Sequence, residues 1–152
     1  MSKLSSDAIQ FLEKNKGKKI VFTNGCFDII HSGHVHYLKE AKSLGDILFV
    51  GLNSDASVKR LKGETRPVND QSERKYILEN LKCVDFVEIF NEDTPYELIK
   101  EVSPDILVKG GDWTPDKIVG SDIVLAKGGK VLSLKFIEGR STTEIIKKIL
   151  AL

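Results

Sequence analysis

The sequence predicts an α/β fold: one doubly wound parallel sheet of about five strands, helices on both faces, spanning residues 1–152 as a single domain. Three observations predict it. Near-continuous apolar runs of strand length recur, as in Asp46-Ile47-Leu48-Phe49-Val50-Gly51-Leu52, and such runs mark strands covered on both faces. Segments of helical spacing, several opened by capping patterns, alternate with those runs. No repeat, linker or low-complexity tract interrupts the alternation, so crossovers should be short and right-handed.

Residues 1–17 form a lead-in and first helix, with Ser6-Asp7 before Ala8, Ile9, Phe11 and Leu12, closed by Asn15-Lys16-Gly17. Lys19 to Thr23 is β-branched and aromatic, hence a buried strand. After a turn, the spacing of Val35, Leu38, Ala41 and Leu44 from His34 is helical, with Gly45 as the residue that ends the helix. The second strand runs from Asp46 to Leu52. Asn53-Ser54-Asp55 caps a helix to about Leu61, and a polar loop from Lys62 to Asn69 carries Gly63 and Pro67. Asp70-x-x-Glu73 opens the helix holding Tyr76, Ile77 and Leu81. Val84 to Phe90 alternates as a strand, and Thr94-Pro95-Tyr96-Glu97 starts a helix with proline at its first position, ending near Ser103-Pro104. Asp105 to Lys109 is the fourth strand, a short helix occupies about Ile118 to Ala126, and Lys130 to Phe136 is the fifth strand. Ser141-Thr142-Thr143-Glu144 caps the final helix, whose apolar side holds Ile145, Ile146, Ile149 and Leu150. The architecture is Rossmann-like, and ligands in such sheets gather outside the carboxyl ends of the strands. Segments 24–34, 109–113 and 139–143 all fall at that edge.

Composition narrows the function classes. A chain of 152 residues, 41% hydrophobic and 30% charged, buries roughly 70% of its unfolded surface and needs no disulfides. No apolar run reaches the ~20 residues of a membrane span. The N-terminus lacks the uninterrupted apolar stretch of a secretory signal, so a cytoplasmic location is expected. Cys26 and Cys83 are far apart in sequence and fit a reducing compartment. A net charge of +1 argues against a nucleic-acid partner while leaving room for a local anion pocket.

All three histidines lie within six residues, at 31, 34 and 36. Imidazole is a poor core filler and a good phosphate partner, so His31-x-Gly33-His34 at a loop-to-helix junction reads as an anion site. Gly33 should let a ligand approach the backbone, and the free N–H groups of the first helical turn add positive potential. Because a helix N-terminus disfavours positive charge on His34, a neutral ring that donates a hydrogen bond is expected. His36 points elsewhere and reads as structural.

Asn24-Gly25-Cys26-Phe27-Asp28-Ile29-Ile30-His31-Ser32-Gly33-His34 resembles the signature of the cytidylyltransferase-like nucleotidyltransferases, a GxFDxxHxGH pattern after the first strand. Gly51 to Asp55, Lys59 to Gly63, Arg66-Pro67-Val68, Leu107 to Asp112 and Gly139 to Ile149 resemble, more closely, the heptose 1-phosphate adenylyltransferase branch. The resemblance runs from Lys18 onward, and with no room for the sugar kinase to which this domain is often fused, a stand-alone form is expected.

The resemblance implies transfer of AMP from ATP to D-glycero-D-manno-heptose 1-phosphate, giving ADP-heptose and pyrophosphate. It implies catalytic roles for His31, His34 and Lys62, and nucleotide contacts from Asn24, Gly25, Cys26, Phe27, His31, Gly33, His34, Gly111, Asp112, Ser141, Thr142 and Thr143. Asp28, Asn53, Lys62 and Arg66 would meet the acceptor. For Asp28, bonding to the turn backbone and orienting the sugar phosphate site are both open readings. No side-chain cluster has zinc spacing. Mg2+ is expected on the ATP phosphates rather than on protein ligands, and a homodimer is compatible with the family. Cytidylyltransferases of the superfamily carry an arginine where this chain has Phe136; Arg140 is the candidate to compensate. The alternatives are a cytidylyltransferase for glycerol, choline or ethanolamine phosphate, an FMN adenylyltransferase, and a non-catalytic nucleotide-binding regulatory module. An aminoacyl-tRNA synthetase fragment is disfavoured because the chain lacks a KMSKS-like loop.

Overall fold

The strands are β1 (Ile20–Gly25), β2 (Ile47–Asn53), β3 (Phe86–Phe90), β4 (Ile106–Gly110) and β5 (Lys130–Leu134) in a computed structural model that describes residues 3–152. They form one all-parallel sheet in the order β3-β2-β1-β4-β5. The chain leaves β1 toward one edge and later returns to its other side at β4, so the switch point lies between the carboxyl ends of β1 and β4.

The helices are α1 (Ser6–Lys14), α2 (Ser32–Lys42), α3 (Asp55–Lys62), α4 (Gln71–Glu79), α5 (Tyr96–Val102), α6 (Ser121–Ala126) and α7 (Thr142–Leu150). Side chains alternate across a strand, and the alternation sorts the core into two layers. Val21, Leu48, Val50 and Val108 face Tyr37, Leu38 and Ala41 of α2 and Leu78 of α4. Phe22, Phe49 and Leu107 face Ala8 of α1, Ile99 of α5 and Val124 of α6. Adjacent residues of one strand therefore support opposite layers. Each fully buried large side chain here stabilises the fold by about 1.5–3 kcal/mol.

Several helix ends differ from the sequence expectation. Ser5, not Ser6-Asp7, caps α1, its hydroxyl accepting the Ala8 N–H. Helix α2 starts at Ser32, two residues before His34, because His31 itself caps it. Gly45 does not take the left-handed backbone of a helix stop. Its small size matters instead, since a Cβ would lie 2.8 Å from Val21 Cγ2 and 2.9 Å from the Lys19 carbonyl. Pro95 occupies the cap position of α5 without any side-chain cap, so Thr94 does not serve there. Of the helix expected at 118–126 only Ser121–Ala126 forms, as α6, and a separate 3-10 turn, Pro115–Lys117, precedes it. The apolar side of α7 is only partly covered: no residue of that helix is buried, Ile145 and Ile146 are half-buried, and Ile149 and Leu150 are exposed. Periodicity reports that a helix is amphipathic, whereas burial needs a partner layer, and α7 follows β5 at the sheet edge.

Candidate active site

The site begins where β1 runs out. Gly25 leaves space that the Phe27 ring enters; a Cβ there would lie 2.9 Å from Phe27 Cε2. Phe27 takes a left-handed backbone, φ 46°, which side-chain-bearing residues seldom adopt and which functional turns hold in place. Its ring meets His34 edge-on, with centroids 5.4 Å apart.

His31 and His34 then cap α2 together. The Gly33 N–H donates to His31 Nδ1 at 3.1 Å, and the His31 N–H donates to His34 Nδ1 at 3.3 Å. Two orphan donors of the helix start are thereby satisfied by imidazole nitrogens. A ring whose Nδ1 accepts must, when neutral, carry its proton on Nε2. The ring centroids lie 3.9 Å apart, too close for two positive charges. Burial, reinforced by His31, pushes His34 down to about 4. Burial and the neighbouring Arg140 guanidinium lower His31 as well. Burial thus does most of what the helix N-terminus was expected to do for His34.

The space at Gly33 is used by the protein itself rather than left open for a ligand. A Cβ at Gly33 would lie 2.8 Å from His31 Cε1 and 3.1 Å from Arg140 Cβ. Arg140 belongs to the turn entering α7, and the two helix starts meet across a cleft of about 520 Å³ whose lining includes His31, Arg140, Ser141, Glu144, Lys147 and Lys148. Thr142 Oγ1 pins α7 to the signature segment by donating to the Ile29 carbonyl at 3.1 Å, while Ser141 Oγ accepts the Glu144 N–H. Thr143 is exposed beside them. Two helix N-termini, the His31 imidazole and a guanidinium meet at one cleft, with the His34 ring against His31, and that arrangement is suited to a polyanion.

Asp28 and Asn53 are both buried and engaged by the protein itself. Asp28 is buried; its carboxylate accepts from Arg66 Nε at 2.7 Å and from the Val68 and Asn69 N–H groups. Burial pushes that carboxyl up, but the backbone N–H groups and Arg66 outweigh it and hold it below the usual carboxylate range. Arg66 is correspondingly turned toward Asp28. Asn53 is buried, with its Nδ2 donating to Ser57 Oγ. A second clamp, absent from the sequence reading, is Arg74, which is fully buried. Its guanidinium donates to the carbonyls of Cys26, Asn53 and Asn69 and to Asp55 Oδ1. One arginine therefore ties the signature turn, the end of β2, the start of α3 and the 63–70 loop. An arginine in a helix normally reads as a solvated side chain, and no spacing signal distinguishes this one.

Lys62 closes α3 and is exposed, and its charge is felt at both Cys26 and Lys109. Burial raises the Cys26 thiol despite Lys62, Arg74 and Arg66, so it remains protonated and is a wall of the site rather than a nucleophile. Asn24 is half-buried and pairs in register with Gly51. Gly111, at φ 111°, donates its N–H to Leu134, and a Cβ there would crowd Trp113 and Phe136. Asp112 is exposed at the same rim. The Phe136 ring lies against Gly110 and 6.3 Å from the Tyr37 ring. Phe136 thus covers the end of β4, and the guanidinium near the histidines comes from Arg140. Among the described residues no group of three or more His, Cys, Asp or Glu could hold a metal ion. No helix among them is long and apolar enough to cross a membrane.

The bifunctional protein HldE of Geobacter metallireducens is 62% identical over 138 residues, and that of Wolinella succinogenes 56% over 149. These matches cover 91% and 96% of this chain but only 28% and 31% of the relatives' own length. The crystal structure of a lipopolysaccharide core biosynthesis protein from Thermoplasma volcanium is 33% identical, with a TM-score of 0.64, and covers 82% of this chain and all of its own. The Francisella tularensis pantoate-beta-alanine ligase, solved with beta-gamma ATP and beta-alanine, shares the fold at 18% identity, with a TM-score of 0.54 over 95% of this chain and 76% of its own. The cytidylyltransferase-like family model matches residues 22–148, a span that holds every element of the site, and the chain belongs to that family of nucleotidyltransferases.

Proposed function

We propose that the chain, acting as one nucleotidyltransferase domain, transfers AMP from ATP to D-glycero-D-manno-heptose 1-phosphate, releasing pyrophosphate and forming ADP-heptose for cell-surface sugar synthesis in the cytoplasm. The observation that carries the reading is the His31–His34 pair: two neutral rings with Nε2–H donors beside Arg140 and the start of α7. The extent of identity to HldE proteins and the lipopolysaccharide-core relative support the choice of acceptor.

A sugar 1-phosphate, with a second pKa of ~6, is already an anionic nucleophile near neutral pH, so no general base is needed. Its oxygen forms the new bond to the α-phosphorus as the bond to the β-phosphate oxygen breaks, and the electron pair leaves with pyrophosphate. No covalent enzyme intermediate forms. The protein's task is alignment and charge stabilisation. His31 and His34 donate to oxygens on which charge builds, while Arg140, Ser141 and the N–H groups of α7 hold the leaving phosphates. Mg2+, carried by the triphosphate and water, would lower the charge of the leaving group.

Pyrophosphate release from ATP and from CTP, against a panel of phosphorylated acceptors, tests the reading. ATP with the heptose 1-phosphate should turn over fastest. Turnover with CTP alone would overturn it in favour of a cytidylyltransferase, and no turnover with any pair would favour a binding module. Phe136 in the position of the cytidylyltransferase arginine weighs against the first of these.

A further inference from the structure

Lys109 is a half-buried ammonium without an anion. Among the described residues, the other cationic side chains that are not exposed each meet a carboxylate: Lys42 with Asp85, Arg66 with Asp28, Arg74 with Asp55 and Lys75 with Glu79. Lys109 has no ion pair or hydrogen bond among them. It sits near the carboxyl end of β4, in register with Ser133, beside the switch point. Its Nζ lies 5.1 Å from the centre of the Trp113 ring, which is 46% exposed. The Cys26 thiol and the Lys62 ammonium are its other ionisable neighbours, and the charge of Lys62 is felt at Cys26 as well. Burial lowers the basicity of Lys109, and Lys62 adds to that.

A half-buried ammonium held without a partner is disfavoured until an anion joins it. The anion has a distinct place. The cleft of His31, Arg140 and Ser141 is lined by neither Lys109 nor Lys62, so the cations of the site form two groups, one at the helix starts and one at the ends of α3 and β4. Transfer between two phosphorylated molecules needs two such groups. The one beside Trp113 is suited to the sugar, because an aromatic face packs against its C–H groups while an ammonium holds its phosphate.

We propose that Lys109 binds the phosphate of the acceptor, with Lys62 nearby and Trp113 beside the sugar, as a subsite apart from the one that holds the triphosphate. The inference rests on the adenylyltransferase reading, and its test separates the two. Trp113 is the sole tryptophan, so its fluorescence reports on this subsite without turnover. Inorganic phosphate should change the emission, and should still do so with α,β-methylene-ATP bound. Lys109→Met, which keeps the side-chain length, should weaken that phosphate binding and raise KM for the heptose 1-phosphate, each roughly 10- to 100-fold. KM for ATP should move less than about threefold, and Lys109→Arg should recover much of the loss. A rise in KM for ATP, or competition between phosphate and the ATP analogue, would place Lys109 on the triphosphate and overturn the proposal. An unchanged phosphate titration in a Lys109→Met protein of normal melting temperature would overturn it too. Failure of turnover with every acceptor, with the phosphate titration intact, would count against the adenylyltransferase reading alone.

Discussion

His31 and His34 share one helix cap: each ring's Nδ1 accepts a backbone N–H of the same helix start, and their centroids are 3.9 Å apart. The helix cap and the candidate catalytic pair are therefore one structure. The cap fixes which nitrogen carries the proton, and burial, with Arg140 beside His31 and His31 beside His34, keeps a second proton away.

Long-range 15N–1H spectra should accordingly show both residues as Nε2–H tautomers at pH 7. His34 should stay neutral until about pH 4. The chain has only three histidines, which makes assignment direct. The stability consequence has a definite sign. A histidine whose folded pKa is depressed binds fewer protons in the folded state, so stability rises with pH between about 4 and the unfolded value near 6.5. Chemical denaturation at pH 7 and pH 5 should show a loss at the lower pH that His34→Gln reduces. A His34 titrating near 6.5 would contradict the geometry.

Replacing His34 by Ala should lower kcat by ~10²-fold, the scale of losing one preorganised donor to developing charge. Steady-state kinetics divides the roles. If kcat holds and only KM for ATP rises, the ring binds the ground state and does not follow the reaction.

Asp28→Asn tests the clamp beneath the site. It leaves the largely buried Arg66 without a counter-charge, and removing one partner of a buried pair costs about 3 kcal/mol. In the native protein, the depressed carboxyl contributes stability above its unfolded pKa and loses it as pH falls through the lower folded value. The variant should therefore be less stable at pH 7 and should show a weaker acid transition below pH 4. Equal stability of the two proteins at pH 7 would return Asp28 to the role of a substrate contact.

The parts of this molecule that were legible in sequence share a physical origin. Strands such as Ile47–Asn53 are apolar on both faces because two helical layers cover them, and that burial is written directly in residue type. The loop motif was legible because Gly25 and His31-x-Gly33-His34 meet local constraints of a strand-to-helix turn. Arg74 and the Asp28–Arg66 pair were not, since their roles depend on carbonyls and carboxylates brought from 20 to 50 positions away. Nothing within one helical turn of Arg74 announces that its guanidinium is buried. The partly covered apolar side of α7 is the same lesson reversed: local pattern specifies amphipathicity, and only topology decides what lies beneath.

Gly33→Ala separates local geometry from stability. Two effects on the fold oppose each other. Alanine favours the helix by about 1 kcal/mol over glycine. Its Cβ, however, would lie 2.8 Å from His31 Cε1 and 2.9 Å from Nδ1, so the ring must swing away and the cap is lost, at a cost of about 1 kcal/mol. The ring can move by side-chain rotation, which relieves the clash without disturbing the core, and net stability should change by less than about 1 kcal/mol. Catalysis has no such offset. A displaced His31 no longer accepts the Gly33 N–H, its proton is no longer directed to Nε2, and its contact with His34 is broken. Activity should fall at least about tenfold while the melting temperature stays within a few degrees of wild type, a split expected of positioning and not of folding. Full activity in Gly33→Ala would mean that the space beside His31 is not needed, and the reciprocal cap would lose its place in the mechanism.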